Sequence, residues 1–202
     1  MGVVPSVYST GINDFYNSLP SGSLDFHYSL TAPGTPIGSQ VFTTTADTTG
    51  TGWIQPWDNA RWIATSQDPA TLLQSVTYYT AFNLDRFDAS TAVITGEWAA
   101  SGAAEIYLNG LSTNITVVND NGTAKHPFTL TGPFTGGINW LSFTVASENG
   151  RNGLLVSITG TAQPVPEPSA IISTAIGAVV GAICLMWRKR QCRKSITPIT
   201  PS

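Results

Sequence analysis

Cysteine, histidine and basic residues are scarce over the first 163 positions of this 202-residue chain. Both cysteines, Cys184 and Cys192, lie near the C-terminus, so the body can form no disulfide, no thiolate metal site and no cysteine nucleophile. His27 and His126 are the only imidazoles, without the His-x-His or His-x-x-x-His spacing that would start a zinc site. Charged residues make up 10% of the chain, against about 25% in ordinary soluble proteins. Up to Gln163 the only bases are Arg61, Arg86, Lys125 and Arg151, set against eleven acids for a net charge of −7. A surface so poor in Lys and Arg cannot neutralise phosphates, which excludes nucleic acid as a partner. Gly-x-Ser-x-Gly, P-loop and dinucleotide fingerprints are absent, as is any long amphipathic helical repeat before Ala170.

What is present is a succession of short strands and turns. Val76, Tyr78, Thr80, Phe82 and Leu84 alternate with Thr77, Tyr79, Ala81 and Asn83, the period of two of a half-buried strand. Ala104, Ile106 and Leu108 alternate with Glu105, Tyr107 and Asn109, and Leu141, Phe143 and Val145 with Trp140, Ser142 and Thr144. A last strand over 153–160 puts Leu154, Val156 and Ile158 on one face. Asn109-Gly110 and Asn121-Gly122 predict tight turns, because both residue types tolerate positive φ. Residues 148–153 predict the connection between the final two strands, and Pro69 to Gln74 one short helical turn. The pattern predicts an all-β jelly roll or β-sandwich over residues 6–162.

The C-terminal segment differs in kind. A Pro-rich linker over 163–169 is followed by Ala170 to Trp187, eighteen uncharged residues that span about 27 Å as a helix. Arg188, Lys189, Arg190, Arg193 and Lys194 come next, and the positive-inside tendency keeps residues 188–202 cytoplasmic and the body outside. Gly177 and Gly181 form a GxxxG pair within the predicted transmembrane helix. An exported chain needs a leader, yet Met1 to Asn17 holds neither a base nor a long apolar run; either the true start lies upstream or the leader has been removed, and the first is favoured because Val7 onward already reads as mature domain.

The order Val165-Pro166-Glu167-Pro168, apolar helix, basic end resembles the PEP-CTERM sorting signal, a tail also described as the ice-binding protein C-terminal type. That resemblance implies export in exopolysaccharide-producing Gram-negative bacteria. It also implies an exosortase-type membrane protease as partner, recognising Val165, Pro166, Glu167 and Pro168 and removing the helix and basic tail. The chain would sit transiently in the inner membrane before reaching the outer surface or extracellular matrix. The body, through TGIND, ARWIA, YYTAFNL, ITGEWA, YLNG, GGINWLSFTV and GLLVSITGTA, is similar to domains found ahead of such tails and to galactose-binding-type jelly rolls. The likeness implies that Gly96, Gly110 and Gly137 mark turns, and that Trp62-Ile63 and His27 lie on strands. Where such relatives carry Asp-Asn after the ITG-x-W-A strand, this chain has Ala100-Ser101-Gly102, which weakens any polar site there.

Three indoles within ten residues make GWIQPWDNARWIA the most unusual stretch of the body. Sugar rings offer apolar C–H faces to indole while polar neighbours take their hydroxyls, so Trp53, Gln55, Trp57, Asp58, Asn59 and Arg61 form the candidate polysaccharide site, with Trp62 expected in the core. Asp85, Asp88, Glu97 and Glu105 are candidate carboxylate pairs for glycoside hydrolysis, but the alternation makes the two glutamates solvent-facing strand positions. No cofactor is expected; a structural calcium is the one candidate ion, with Asp14, Asp25 and Asn119-Asp120-Asn121 offering hard ligands. Thr43, Thr44, Thr45, Thr48, Thr49 and Thr51 lack the regular repeat of an ice-binding face and read as a loop. The sequence therefore predicts a non-catalytic surface or matrix protein that binds polysaccharide. A protein-binding adhesin is the second reading and a secreted glycan-active enzyme the third.

Overall fold

The computed structural model describes residues 1–35, 41–57 and 59–166. Asp58, Glu167, Pro168, the predicted transmembrane helix over 170–187 and the basic tail over 188–202 lie outside the described residues. Among the described residues no helix is long and apolar enough to cross a membrane. The chain divides into two units, Met1–Pro164 and Val165–Ser202, and the described strands all belong to the first.

These strands number eleven, all paired antiparallel: β1 (Gly2–Val3), β2 (Leu24–Ser29), β3 (Phe42–Thr45), β4 (Ile63–Ala64), β5 (Ser75–Asn83), β6 (Phe87–Ala100), β7 (Ala104–Leu108), β8 (Leu111–Val117), β9 (His126–Leu130), β10 (Ile138–Ala146) and β11 (Leu154–Pro164). The hydrogen-bonded order is β8-β7-β10-β5-β2-β3-β4-β11-β6-β9, with β1 on β11. The path folds back on itself into a sandwich, so that β10 faces β6. The Trp98 and Phe143 rings meet across the core with centroids 5.8 Å apart. Short β3 and β4 close one side between the two layers.

The alternation read from the sequence fixes which side chains fill this core. Val76, Tyr78 and Phe82 of β5, Ile106 and Leu108 of β7, and Leu141, Phe143 and Val145 of β10 are buried from one layer. Ile94 and Trp98 of β6, Phe128 and Leu130 of β9, and Leu154, Val156 and Ile158 of β11 are buried from the other. Both predicted Asn-Gly turns have positive φ at each residue, 51° and 81° at Asn109-Gly110 and 57° and 69° at Asn121-Gly122. The first closes the β7–β8 hairpin. Residues 148–153 do connect β10 to β11, through a reciprocal pair of backbone hydrogen bonds between Glu148 and Arg151.

Five details differ from the sequence reading. Gly96 lies inside β6, not at a turn: a Cβ there would meet Ser157 O at 2.4 Å and the Phe128 ring at 2.8 Å, so the residue answers to close packing. Pro69 to Gln74 make no helical turn; Ala70 instead bridges to Arg151, and Leu72 and Leu73 stand exposed. Thr43, Thr44 and Thr45 belong to β3, with only the later threonines in a loop. The unit starts before residue 6, since Gly2 and Val3 pair with Ala162 and Thr161. It also runs to Pro164, into the stretch read as linker.

Candidate functional site

The Trp-rich segment crosses the outer surface of the β6–β11 layer. Along most of these strands outward positions are polar, but Ala99 and its partner Leu155 are apolar and fully buried. What covers them is a second small cluster of Trp53, Ala60 and Trp62, with Ile54 and Trp57 packed at its edge. The Trp53 and Trp62 rings lie 4.5 Å apart, and Trp62 Nε1 donates to Ile54 O at 2.9 Å. Trp62 is buried, as expected. Trp53 is also buried, only 8% exposed, so its indole packs on Ala99 and Leu155 and offers no face to a sugar. The three indoles therefore do not form one open platform.

The remaining candidates lie closer to solvent. Trp57 is half-buried; Lys125 Nζ sits 4.9 Å from its ring centroid, and its Nε1 is enclosed without a hydrogen-bond partner among the described residues. Arg61 holds the turn by donating from Nη1 to Trp57 O at 2.6 Å and Ala60 O at 3.2 Å. Asn59 donates from Nδ2 to Ser157 Oγ at 2.8 Å, and Gln55 is exposed.

Arg61, Pro56 and Asp47 line an open groove of about 440 Å³ beside this segment. Asp47 also borders an open depression of about 340 Å³ with Gln67, Asp68 and Arg151. No motif in the sequence marks these last four residues. They are brought together by non-local pairing: Asp47 N donates to Gln67 O at 2.7 Å, and Ala70 bridges to Arg151. Asp47 accepts from Thr49 N at 2.9 Å, and hydrogen bonds from the Thr49 hydroxyl and amide hold its carboxyl below the usual range. A carboxylate so held is a hydroxyl acceptor and a poor proton donor.

The candidate carboxylates of Asp85, Asp88 and Glu97 each have a local partner. Asp85 accepts from Asn83 Nδ2 at 2.8 Å, Asp88 from the Ser90 hydroxyl at 2.6 Å, and Glu97 lies 3.9 Å from Lys125 Nζ. The carboxylates considered for calcium have internal partners. Asp14 Oδ1 lies 2.9 Å from His27 Nε2, and buried Asp25 accepts from Gly11 N at 2.7 Å and His27 N at 2.9 Å. Asp120 accepts from Gly122 N at 2.9 Å and lies 2.6 Å from His126 Nε2. Among the described residues no three His, Cys, Asp or Glu side chains converge on a point.

No protein-family model matches this chain, and no curated protein sequence matches it. Among solved structures, a β-glucosidase from Kluyveromyces marxianus in complex with glucose is similar at 15% identity and a TM-score of 0.29; the match covers 52% of this chain and 12% of that one. A family 35 carbohydrate-binding module from an environmental isolate is similar at 14% identity and a TM-score of 0.33, over 52% of this chain and 80% of that one. The family 35 module from Paenibacillus barcinonensis is similar at 13% identity and a TM-score of 0.37, over 77% of this chain and 98% of that one.

Proposed function

We propose that this chain is an exported, non-catalytic polysaccharide-binding protein of a bacterial surface or matrix, delivered by its C-terminal sorting signal. The observation that carries the binding half is the groove beside the Trp-rich segment. It is open and of saccharide size, and Asp47, Gln67, Asp68, Arg61 and Arg151 border it and the depression it adjoins with donors and acceptors suited to sugar hydroxyls. Trp57, Gln55 and Asn59 stand on the same segment as Arg61. The delivery half rests on the order of Pro166-Glu167-Pro168, apolar run and basic end in the sequence.

The test uses the full chain and the exopolysaccharide of the producing cells. Gln67→Ala and Asp47→Asn, each with an unchanged melting temperature, are expected to weaken retention about tenfold when combined. Full retention by the double variant would remove the groove from the account. Mass analysis of the surface form tests delivery: loss of the residues after Pro168, prevented in Glu167→Ala, is the expected result, and an intact C-terminus at the surface would refute it.

A further inference from the structure

The outward face of the other layer carries a second constellation of aromatic side chains. Register fixes it: Ser142 of β10 lies directly between Tyr79 of β5 and Tyr107 of β7, and the next outward residue on β10 is Trp140. With strands about 4.8 Å apart, the two tyrosines flank Ser142 at about 10 Å from each other, with Trp140 about 7 Å along the central strand. All three aromatics are half-buried. Among the described residues the one buried apolar cluster outside the main core is that of Trp53 and Trp62 on the β6–β11 layer, and none is found on this face.

The surroundings of these rings are polar and ordered. Tyr107 Oη donates to Glu105 Oε2 at 2.8 Å, and the Ser112 hydroxyl donates to Glu105 Oε1, so the ring of Tyr107 is held in place. Those two hydrogen bonds, Ser112 first, lower the Glu105 carboxyl below its usual range, and the same contact raises the Tyr107 phenol. Thr77 and Thr144 share a hydroxyl hydrogen bond of 3.0 Å across the strands. Trp140 is anchored through its backbone, N donating to Asn109 Oδ1 at 2.8 Å and O accepting from Asn109 N at 2.8 Å. Beside Tyr107 the small side chains of Ala103, Ser75 and Ala146 leave a shallow depression of about 320 Å³, bordered by Glu105, Thr116 and Thr144.

Charge decides what this face can hold. Glu105 is the single charged residue on β5, β7, β8 and β10. Aromatic rows of this kind also suit single-stranded nucleic acid, but only alongside bases that track the phosphates. Here Arg86 lies in the β5–β6 connection, Lys125 lies beside Glu97 of β6, and Arg61 and Arg151 belong to the groove and depression. Acidic polymers would meet only Glu105, a like charge. A neutral saccharide chain meets ring faces for its C–H surfaces and hydroxyl and carboxylate groups for its hydroxyls.

We infer that this face is a second saccharide site, taking an uncharged glycan laid across β5, β10 and β7 on Tyr79, Trp140 and Tyr107. The inference rests on the polysaccharide-binding reading but uses residues remote in sequence from the groove's Asp47, Gln67 and Arg61. Two sites on one domain would raise avidity for a long polymer, since the second contact becomes intramolecular.

The experiment titrates the full chain with cellohexaose, mannohexaose and a galactan, with polygalacturonate as the acidic comparison. Tyr107→Ala and Trp140→Ala are expected to lower affinity for at least one neutral glycan by about tenfold, while Tyr107→Phe keeps most of it because the ring remains. Melting temperatures establish that each variant folds, and hydrogen exchange on the wild type reads β7 and β10 directly: slowed exchange there on adding glycan supports the site. Full affinity in both alanine variants, polygalacturonate bound as tightly as the neutral chains, or no neutral glycan bound at all would overturn it. Loss of binding confined to the Asp47→Asn/Gln67→Ala variant would overturn this site and leave the groove standing; loss confined to the face variants would do the reverse.

Discussion

Replacing Gly153 with alanine tests whether the Trp-rich segment is packed as described. Gly153 precedes β11 and lies beneath the indole pair: an added Cβ would stand 2.5 Å from Trp53 Cη2, 2.6 Å from Trp53 Cζ3 and 3.3 Å from Trp62 Cε3. Its backbone cannot retreat easily, because Gly153 N donates to Ser101 Oγ and Gly153 O accepts from Ser101 N, both at 3.0 Å. Overpacking of this kind costs about 1–3 kcal/mol, or roughly 2–12 °C in melting temperature for a domain of this size. Thermal and denaturant unfolding would measure the loss, and tryptophan emission would move to longer wavelength as Trp53 is pushed toward water. In Gly153→Ala/Trp53→Leu the shorter side chain removes the clash. The double variant should therefore lose less than the sum of the single variants, by about 1 kcal/mol. If Gly153→Ala unfolds within about 0.5 kcal/mol of the wild type with unchanged emission, Trp53 does not cover this glycine and its exclusion from the ligand set fails.

Single contacts yield further expected outcomes. His27 pairs with Asp14 and Asp25 and stacks on Tyr8 with ring centroids 3.7 Å apart; burial lowers its pKa, but the hydrogen bonds to Asp25 and Asp14 outweigh this and the net shift is upward from 6.5. A raised folded value means that stability is fully present below about pH 6.5 and is lost as pH rises through the folded value. Unfolding measured from about pH 5 to 9 should show that slope in the wild type and not in His27→Gln; equal slopes would refute it. Tyr78→Phe removes the donor to Asn152 Oδ1 deep in the core and should cost about 1–3 kcal/mol, read by denaturant unfolding; a neutral result would deny that bond. Thr43 Oγ1 is buried without a partner among the described residues, so Thr43→Val should raise stability by about 1 kcal/mol, and a loss would show that the hydroxyl has a partner.

The sandwich is legible in the sequence where a strand has one wet face and one dry face, as in β5, β7 and β10, because a period of two is then visible in the residues themselves. The Asn-Gly turns are legible for an equally local reason. Packing on the outside of a sheet is harder to read. Trp53 resembles a ligand contact because a Trp-rich loop carries the same residues whether it faces water or lies on a strand. A signal does exist: Trp98-Ala99-Ala100 and Leu154-Leu155-Val156 break the alternation with three apolar residues in a row, which marks both faces of β6 and β11 as covered. Gly96 reads wrongly as a turn because a glycine that admits a neighbouring backbone looks the same in sequence as one that reverses the chain. The groove residues Asp47, Gln67, Asp68 and Arg151 carry no local signature, since strand pairing over long separations assembles them. Tyr79, Tyr107 and Trp140 are visible as outward aromatics, but only register shows them to be neighbours.

The measurement that bears most directly on the central claim is a tryptophan-fluorescence titration of the folded full chain with the exopolysaccharide of its own producing cells. Binding at the groove or the sheet face, near Trp57 or Trp140, predicts a saturable change in emission with the polymer chain length unaltered. A folded chain that shows no change and is not retained by the polymer would contradict the polysaccharide-binding account, and shortening of the polymer would contradict its non-catalytic part.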